Sequence, residues 1–145
     1  MSDLVERVCL HEGFRAKPYQ DHLGNWTFGH GLTWISEEES ERIVNERLLQ
    51  IMRELKTQHP ACLDPNFYSD AEIEVLDEVV EVTAEMAFQL GVAGVNKFKK
   101  MWAALEAGNY MLAQMEMLDS QWAEQTPERA HELADVIGEL NERHG

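Results

Sequence analysis

Leu4, Val5, Val8 and Cys9 recur at helical spacing and predict a short helix over residues 3–12, capped by Ser2 or Asp3. Gly13 follows Glu12 directly and suits the left-handed conformation that stops a helix. From residue 17 to 34 the pattern changes. Pro18 excludes a continuing helix, and Gly24, Gly29 and Gly31 punctuate a run containing Tyr19, Trp26, Thr27 and Phe28. This predicts short antiparallel strands that turn near Leu23-Gly24-Asn25.

The rest of the chain reads as helix. Ser36-Glu37-Glu38-Glu39 is a capping box. After it, Ile43, Val44, Leu48, Ile51, Met52 and Leu55 share one side of a helix expected to run to about residue 56. His59-Pro60 ends it, and Asp64-Pro65-Asn66 marks a loop. Ser69-Asp70-Ala71-Glu72 opens a helical stretch to Leu90, with a break expected near Thr83 and a stop at Gly91 and Gly94. Further helices are expected over about 95–107 and 109–121. Thr126-Pro127-Glu128 starts a last one, to about residue 143. The fold class is therefore α+β and mainly helical. A small N-terminal β lobe (about residues 13–35) is expected to pack on a larger helical part (1–12 and 36–145), leaving a cleft. No internal repeat is present.

Composition narrows the function. A net charge of −15 disfavours nucleic acid and anionic membrane surfaces as partners. No apolar run is long enough for a membrane span, and the start lacks a signal-peptide pattern, so synthesis in a cytosol is expected. Cys9 and Cys62 lie in no CxxC or Cys/His cluster and are expected as free thiols. The expectation is for no metal and no cofactor.

The chemistry concentrates near the N-terminus. Glu12 falls in the last turn of a helix, where the macrodipole opposes a carboxylate. That position and partial burial would push its pKa upward, which suits a proton donor. Read alone, it is more simply an ordinary surface glutamate. Asp21 precedes the Gly24 turn and, read alone, is a turn cap; Thr27 is an ordinary strand threonine. Together, two carboxyl groups facing one cleft are what glycoside hydrolysis requires.

The run from Glu12 to Gly31 fits the pattern E-G-x-R-x-x-x-Y-x-D-x-x-G-x-x-T-x-G-x-G at every fixed position. It resembles the signature of the phage lysozymes, glycoside hydrolase family 24. Ala87-Phe88-Gln89-Leu90-Gly91, Gly94-Val95-Asn96-Lys97-Phe98 and the segment Ser120 to Ala130 also resemble T-even members of that family. The resemblance implies a single lysozyme-like domain over 1–145 and a muramidase that hydrolyses the β-1,4 bond between N-acetylmuramic acid and N-acetylglucosamine, with inversion. It implies Glu12 as general acid, Asp21 as the group that positions or activates water, and Thr27 as the group that holds that water. Arg129 matches the arginine that pairs with the catalytic glutamate. Gly31, Leu32, Phe88 and Gln89 match cleft-lining, substrate-binding positions. The partner implied is the peptidoglycan glycan strand, and the enzyme is expected to be monomeric. It is expected to be made in the host bacterial cytoplasm and to act on the periplasmic wall after release at lysis, or to be carried in the phage particle.

Two features depart from the family. The chain is shorter between Thr33 and Ser36, and it is acidic where family enzymes are usually basic. A non-catalytic glycan-binding descendant is the rival reading; the intact Glu12, Asp21 and Thr27 argue against it. His11, His22 and His30 meet no metal-ligand spacing. Trp102 and Trp122 are expected in the core, and Trp26 either stacks on sugar or packs. Met101, Met111, Met115 and Met117 are expected to pack between helices.

Overall fold

The computed structural model describes residues 3–144 and bears out the α+β class: one two-stranded antiparallel sheet and a majority of helix. The chain divides into two compact units, Met1–Val44 and Asn45–Gly145. The expected cap Ser2 lies outside the described residues.

The first unit opens with α1 (Asp3–Glu12). It stops where Gly13, at φ +71°, donates its amide to the Cys9 carbonyl at 2.9 Å. No side chain reaches that backbone conformation as cheaply as glycine. Strand β1 (Arg15–Gln20) pairs antiparallel with β2 (Trp26–Gly29), matching Arg15 with Gly29, Tyr19 with Thr27 and Gln20 with Trp26. The register shifts between Arg15 and Tyr19, where Pro18 has no amide to donate. The hairpin thus starts two residues earlier than the pattern predicts, because Arg15 pairs with Gly29 despite the proline. Beyond β2 the chain doubles back, with Phe28 and Leu32 exchanging both backbone hydrogen bonds, at 2.8 and 2.9 Å. The Ser36/Glu39 capping box then forms as expected: Ser36 donates its amide to Glu39 Oε1, and Glu39 donates its amide to Ser36 Oγ.

The helix that follows, α2 (Glu37–Gln58), runs two residues past the expected end. Leu55 is fully buried, whereas Ile43 and Val44 are exposed, so the apolar side expected along the whole helix packs only in its later turns. Pro60 does not merely stop the chain. It opens the short helix α3 (Pro60–Leu63) from its first position, where a missing amide costs nothing. Cys62 therefore sits on a buried helical turn.

The core belongs to the second unit. Its centre is α4 (Ile73–Leu90), which buries Val75, Leu76, Val79, Val80, Val82, Met86 and Ala87. A helix buried on so many sides is a core element, and each such valine, leucine or methionine side chain contributes about 1.5–3 kcal/mol on burial. The break expected at Thr83 is absent. Its hydroxyl donates to the carbonyl of Val79 at 2.8 Å, so the polar group is satisfied inside the helix. Around α4 come α5 (Val92–Val95), α6 (Lys99–Glu106), α7 (Tyr110–Leu118), α8 (Gln121–Gln125) and α9 (Pro127–His144). The most extensive helix pairing among the described residues is α7 on α9. Thr126 precedes α9 as expected, but its hydroxyl donates back to the Trp122 carbonyl at 3.1 Å, so its cap is its own carbonyl, which accepts from Ala130.

Trp102 and Trp122 are buried, as expected. Met101 and Met117 pack in the core, but Met111 and Met115 are exposed on α7. Both cysteines are free thiols, and burial pushes the Cys62 thiol up to about 12. Among the described residues no helix is long and apolar enough to cross a membrane, and no cluster of His, Cys, Asp or Glu is placed to hold a metal ion.

Candidate active site

Glu12 is the last residue of α1, and the Gly13 stop fixes where its side chain leaves the helix. The side chain is exposed, against the partial burial expected. It lies over the backbone of Gly31. A β-carbon built on Gly31 would stand 2.8 Å from the Glu12 carboxyl carbon. The helix end and the turn after β2 therefore meet at this carboxyl group.

Asp21 closes the hairpin between β1 and β2. Its Oδ1 accepts the amides of Leu23 at 2.9 Å and Asn25 at 2.8 Å, and its own amide donates to the Asn25 carbonyl. The Asn25 amide, with smaller help from Leu23 and His22, holds the Asp21 carboxyl below the usual aspartate range. The turn-cap reading of Asp21 is thus correct at the level of contacts. It also leaves the group ionised at neutral pH, as an acceptor of a proton from water must be.

Thr27 sits on β2 opposite Tyr19 and is 5% exposed. It is the buried side chain among the described residues of the first unit. Its hydroxyl donates to the Asn25 carbonyl at 3.2 Å, which leaves oxygen lone pairs to accept a hydrogen bond. Asn25 thus links the Asp21 carboxylate to the Thr27 hydroxyl. Leu32 is exposed beyond Gly31, and Trp26 is 63% exposed, so it does not pack in a core.

The remaining expected residues lie in the second unit. Phe88 and Gln89 are exposed at the last turn of α4. Gln89 Oε1 accepts from the Trp122 indole at 2.9 Å, which orients the amide. Arg129, on α9, pairs with Glu85 at 2.8 Å between Nε and Oε2. Glu85, Phe88 and Gln89 stand at i, i+3 and i+4, so they share one face of α4. Sequence reasoning missed Glu85 as a partner of Arg129. The two are 44 residues apart, and no local signal joins them. The Gln89–Trp122 bond was equally invisible.

The comparisons now decide the family. Residues 10–135 match the phage lysozyme family. The chain belongs to that family. It is similar, at 25% identity over 160 residues and 94% of both chains, to probable T4-type lysozyme 2 of Dictyostelium discoideum. It is 44% identical over 157 residues to the pre-baseplate central spike protein Gp5 of Enterobacteria phage T4, covering 92% of this chain but 27% of that one. It is 34% identical over 68 residues to an endolysin of Acyrthosiphon pisum secondary endosymbiont phage 1, covering 42% and 47% of the two. This family member is a glycoside hydrolase of the lysozyme type, a muramidase, and the family acts on peptidoglycan.

Proposed function

We propose that the enzyme cleaves the β-1,4 bond between N-acetylmuramic acid and N-acetylglucosamine by a single displacement with inversion. Glu12 protonates the leaving glycosidic oxygen. A water molecule held by Thr27 and Asp21 attacks the anomeric carbon from the opposite face and gives its proton to Asp21. Solvent then returns a proton to Glu12 and takes one from Asp21. Inversion needs room for that water, so the two carboxyl groups are expected about 6.5–9.5 Å apart.

The observation that carries this reading is the Asn25 link: one residue joins the Asp21 carboxylate to the Thr27 hydroxyl within the unit that also holds Glu12. A mere turn cap would not need a buried threonine hydrogen-bonded to the same Asn25 that caps it. In the same reading Gly31, Leu32, Phe88 and Gln89 contact the glycan, and Arg129, held by Glu85, supports the reaction. The enzyme works as a monomer within one lysozyme domain, and its partner is the glycan strand.

Where it works has two readings, release at lysis and carriage in the particle. The similarity to Gp5 is higher and covers more of the chain than that to the endolysin, which favours carriage. Purified peptidoglycan digested in an NMR tube tests the mechanism: the α anomer should appear first. The β anomer first would recast Asp21 as a nucleophile.

A further inference from the structure

We propose that Gly31 is the positioning residue for Glu12, and that the β-carbon it lacks is the space in which the Glu12 carboxyl group sits. The inference rests on Glu12 being the general acid. A β-carbon built at Gly31 would stand 2.8 Å from Glu12 Cδ and 3.1 Å from Cγ, and closer still to Oε2. Carbon atoms do not pack at that separation, so something must move. Both backbones are held. The turn around Gly31 is closed by the reciprocal Phe28–Leu32 bonds, and the end of α1 by the Gly13–Cys9 bond. What is free to move is the end of the Glu12 side chain. The damage from a methyl group therefore falls on where the acid points and much less on whether the hairpin folds.

A second effect must be separated from this one. Gly31 has φ +74°, which any L side chain adopts reluctantly. Gly29 provides the control. It lies in the same turn at φ +59°, and a β-carbon there would meet only Leu32 Cδ1 at 3.6 Å, an ordinary contact. Backbone strain is common to both positions; contact with Glu12 belongs to Gly31 alone.

The experiment compares Gly31→Ala with Gly29→Ala for kcat, KM and thermal unfolding, using soluble glycan strands. Both are also made in a Glu12→Ala background for unfolding alone. Displacing an acid by about 1 Å costs on the order of 10²-fold. Gly31→Ala should therefore lose kcat by about that factor, well beyond any rise in KM from its glycan contact, while Gly29→Ala keeps kcat within about threefold. Once Glu12 is truncated, Gly31→Ala should cost no more unfolding temperature than Gly29→Ala. Equal kcat losses at the two glycines would overturn the proposal, as would full activity in Gly31→Ala. A Glu12→Gln enzyme that remains active would remove the acid assignment and this inference with it. An inactive Glu12→Gln beside an active Gly31→Ala would overturn this inference only.

Discussion

Asn25 donates its backbone amide to the Asp21 carboxylate at 2.8 Å, so the residue assigned to water is also the cap of its own turn. The same contact separates the two roles by mutation. An asparagine at position 21 keeps an oxygen acceptor for the amides of Leu23 and Asn25 but has no charge and no affinity for a proton. Asp21→Asn should therefore fold normally and lose activity by about 10²–10⁴-fold. Retained activity in a folded Asp21→Asn protein would leave Asp21 a turn cap only.

The pH dependence of stability follows from the same bond. The Asn25 amide lowers the folded-state pKa of Asp21. A depressed carboxylate stabilises the fold above its unfolded pKa, and that contribution is lost as pH falls through the lower folded value. The difference in unfolding temperature between wild type and Asp21→Asn should be full near neutrality and shrink below about pH 4. A difference that widens on acidification would contradict the cause assigned here.

Thr27→Val preserves shape at a buried site but removes the hydroxyl that bonds the Asn25 carbonyl. Losing one such bond costs about 1 kcal/mol of stability. If the hydroxyl also holds the attacking water, activity should fall by more than that destabilisation explains, and Thr27→Ser should recover most of it. Catalytic constants for the three folded proteins decide the point. A Val variant as active as the Ser variant would reduce Thr27 to packing.

Arg129 and Glu85 are 39% and 46% exposed, so their ion pair is worth about 0–1 kcal/mol. Arg129→Ala and Glu85→Ala should then destabilise the protein slightly and alike. Their activities should differ if Arg129 supports the reaction: its loss is expected to cost about tenfold or more, that of its partner much less. Equal activity losses would mean that the pair acts as a unit within the helical part.

The charge of −15 sets the response to salt. Approach to an anionic wall is repulsive at low ionic strength, and salt screens it within about 10 Å at 0.1 M. Lysis of permeabilised cells should rise from low to moderate salt. A steady fall would show that a local basic patch, with Lys97, Lys99 and Lys100 as candidates, outweighs the net charge.

The sequence made the local features legible and the long-range ones not. The stop at Gly13, the turn near Gly24 and the Ser36/Glu39 cap all depend on residues within four positions of each other, and all are present. Thr83 misled because its intrinsic preference is against helix, while a buried carbonyl one turn back satisfies it. Pro60 misled in the other direction, since a proline that ends one helix also opens the next. Ile43 and Met111 show that helical spacing gives a shared side but not whether that side is covered. At the site, the motif gave residue types, and no spacing could show that Glu12 lies on Gly31, that Asn25 joins Asp21 to Thr27, or that Arg129 meets Glu85.

Everything in the proposed reaction depends on Glu12 delivering the proton. Glu12→Gln is isosteric at an exposed helix end, so it should fold like wild type. The decisive measurement is the rate of reducing-end release from purified peptidoglycan by the two proteins, at equal concentration and with matched unfolding temperatures. Glu12→Gln should lose about 10²-fold or more; activity within about tenfold of wild type would mean that another group delivers the proton.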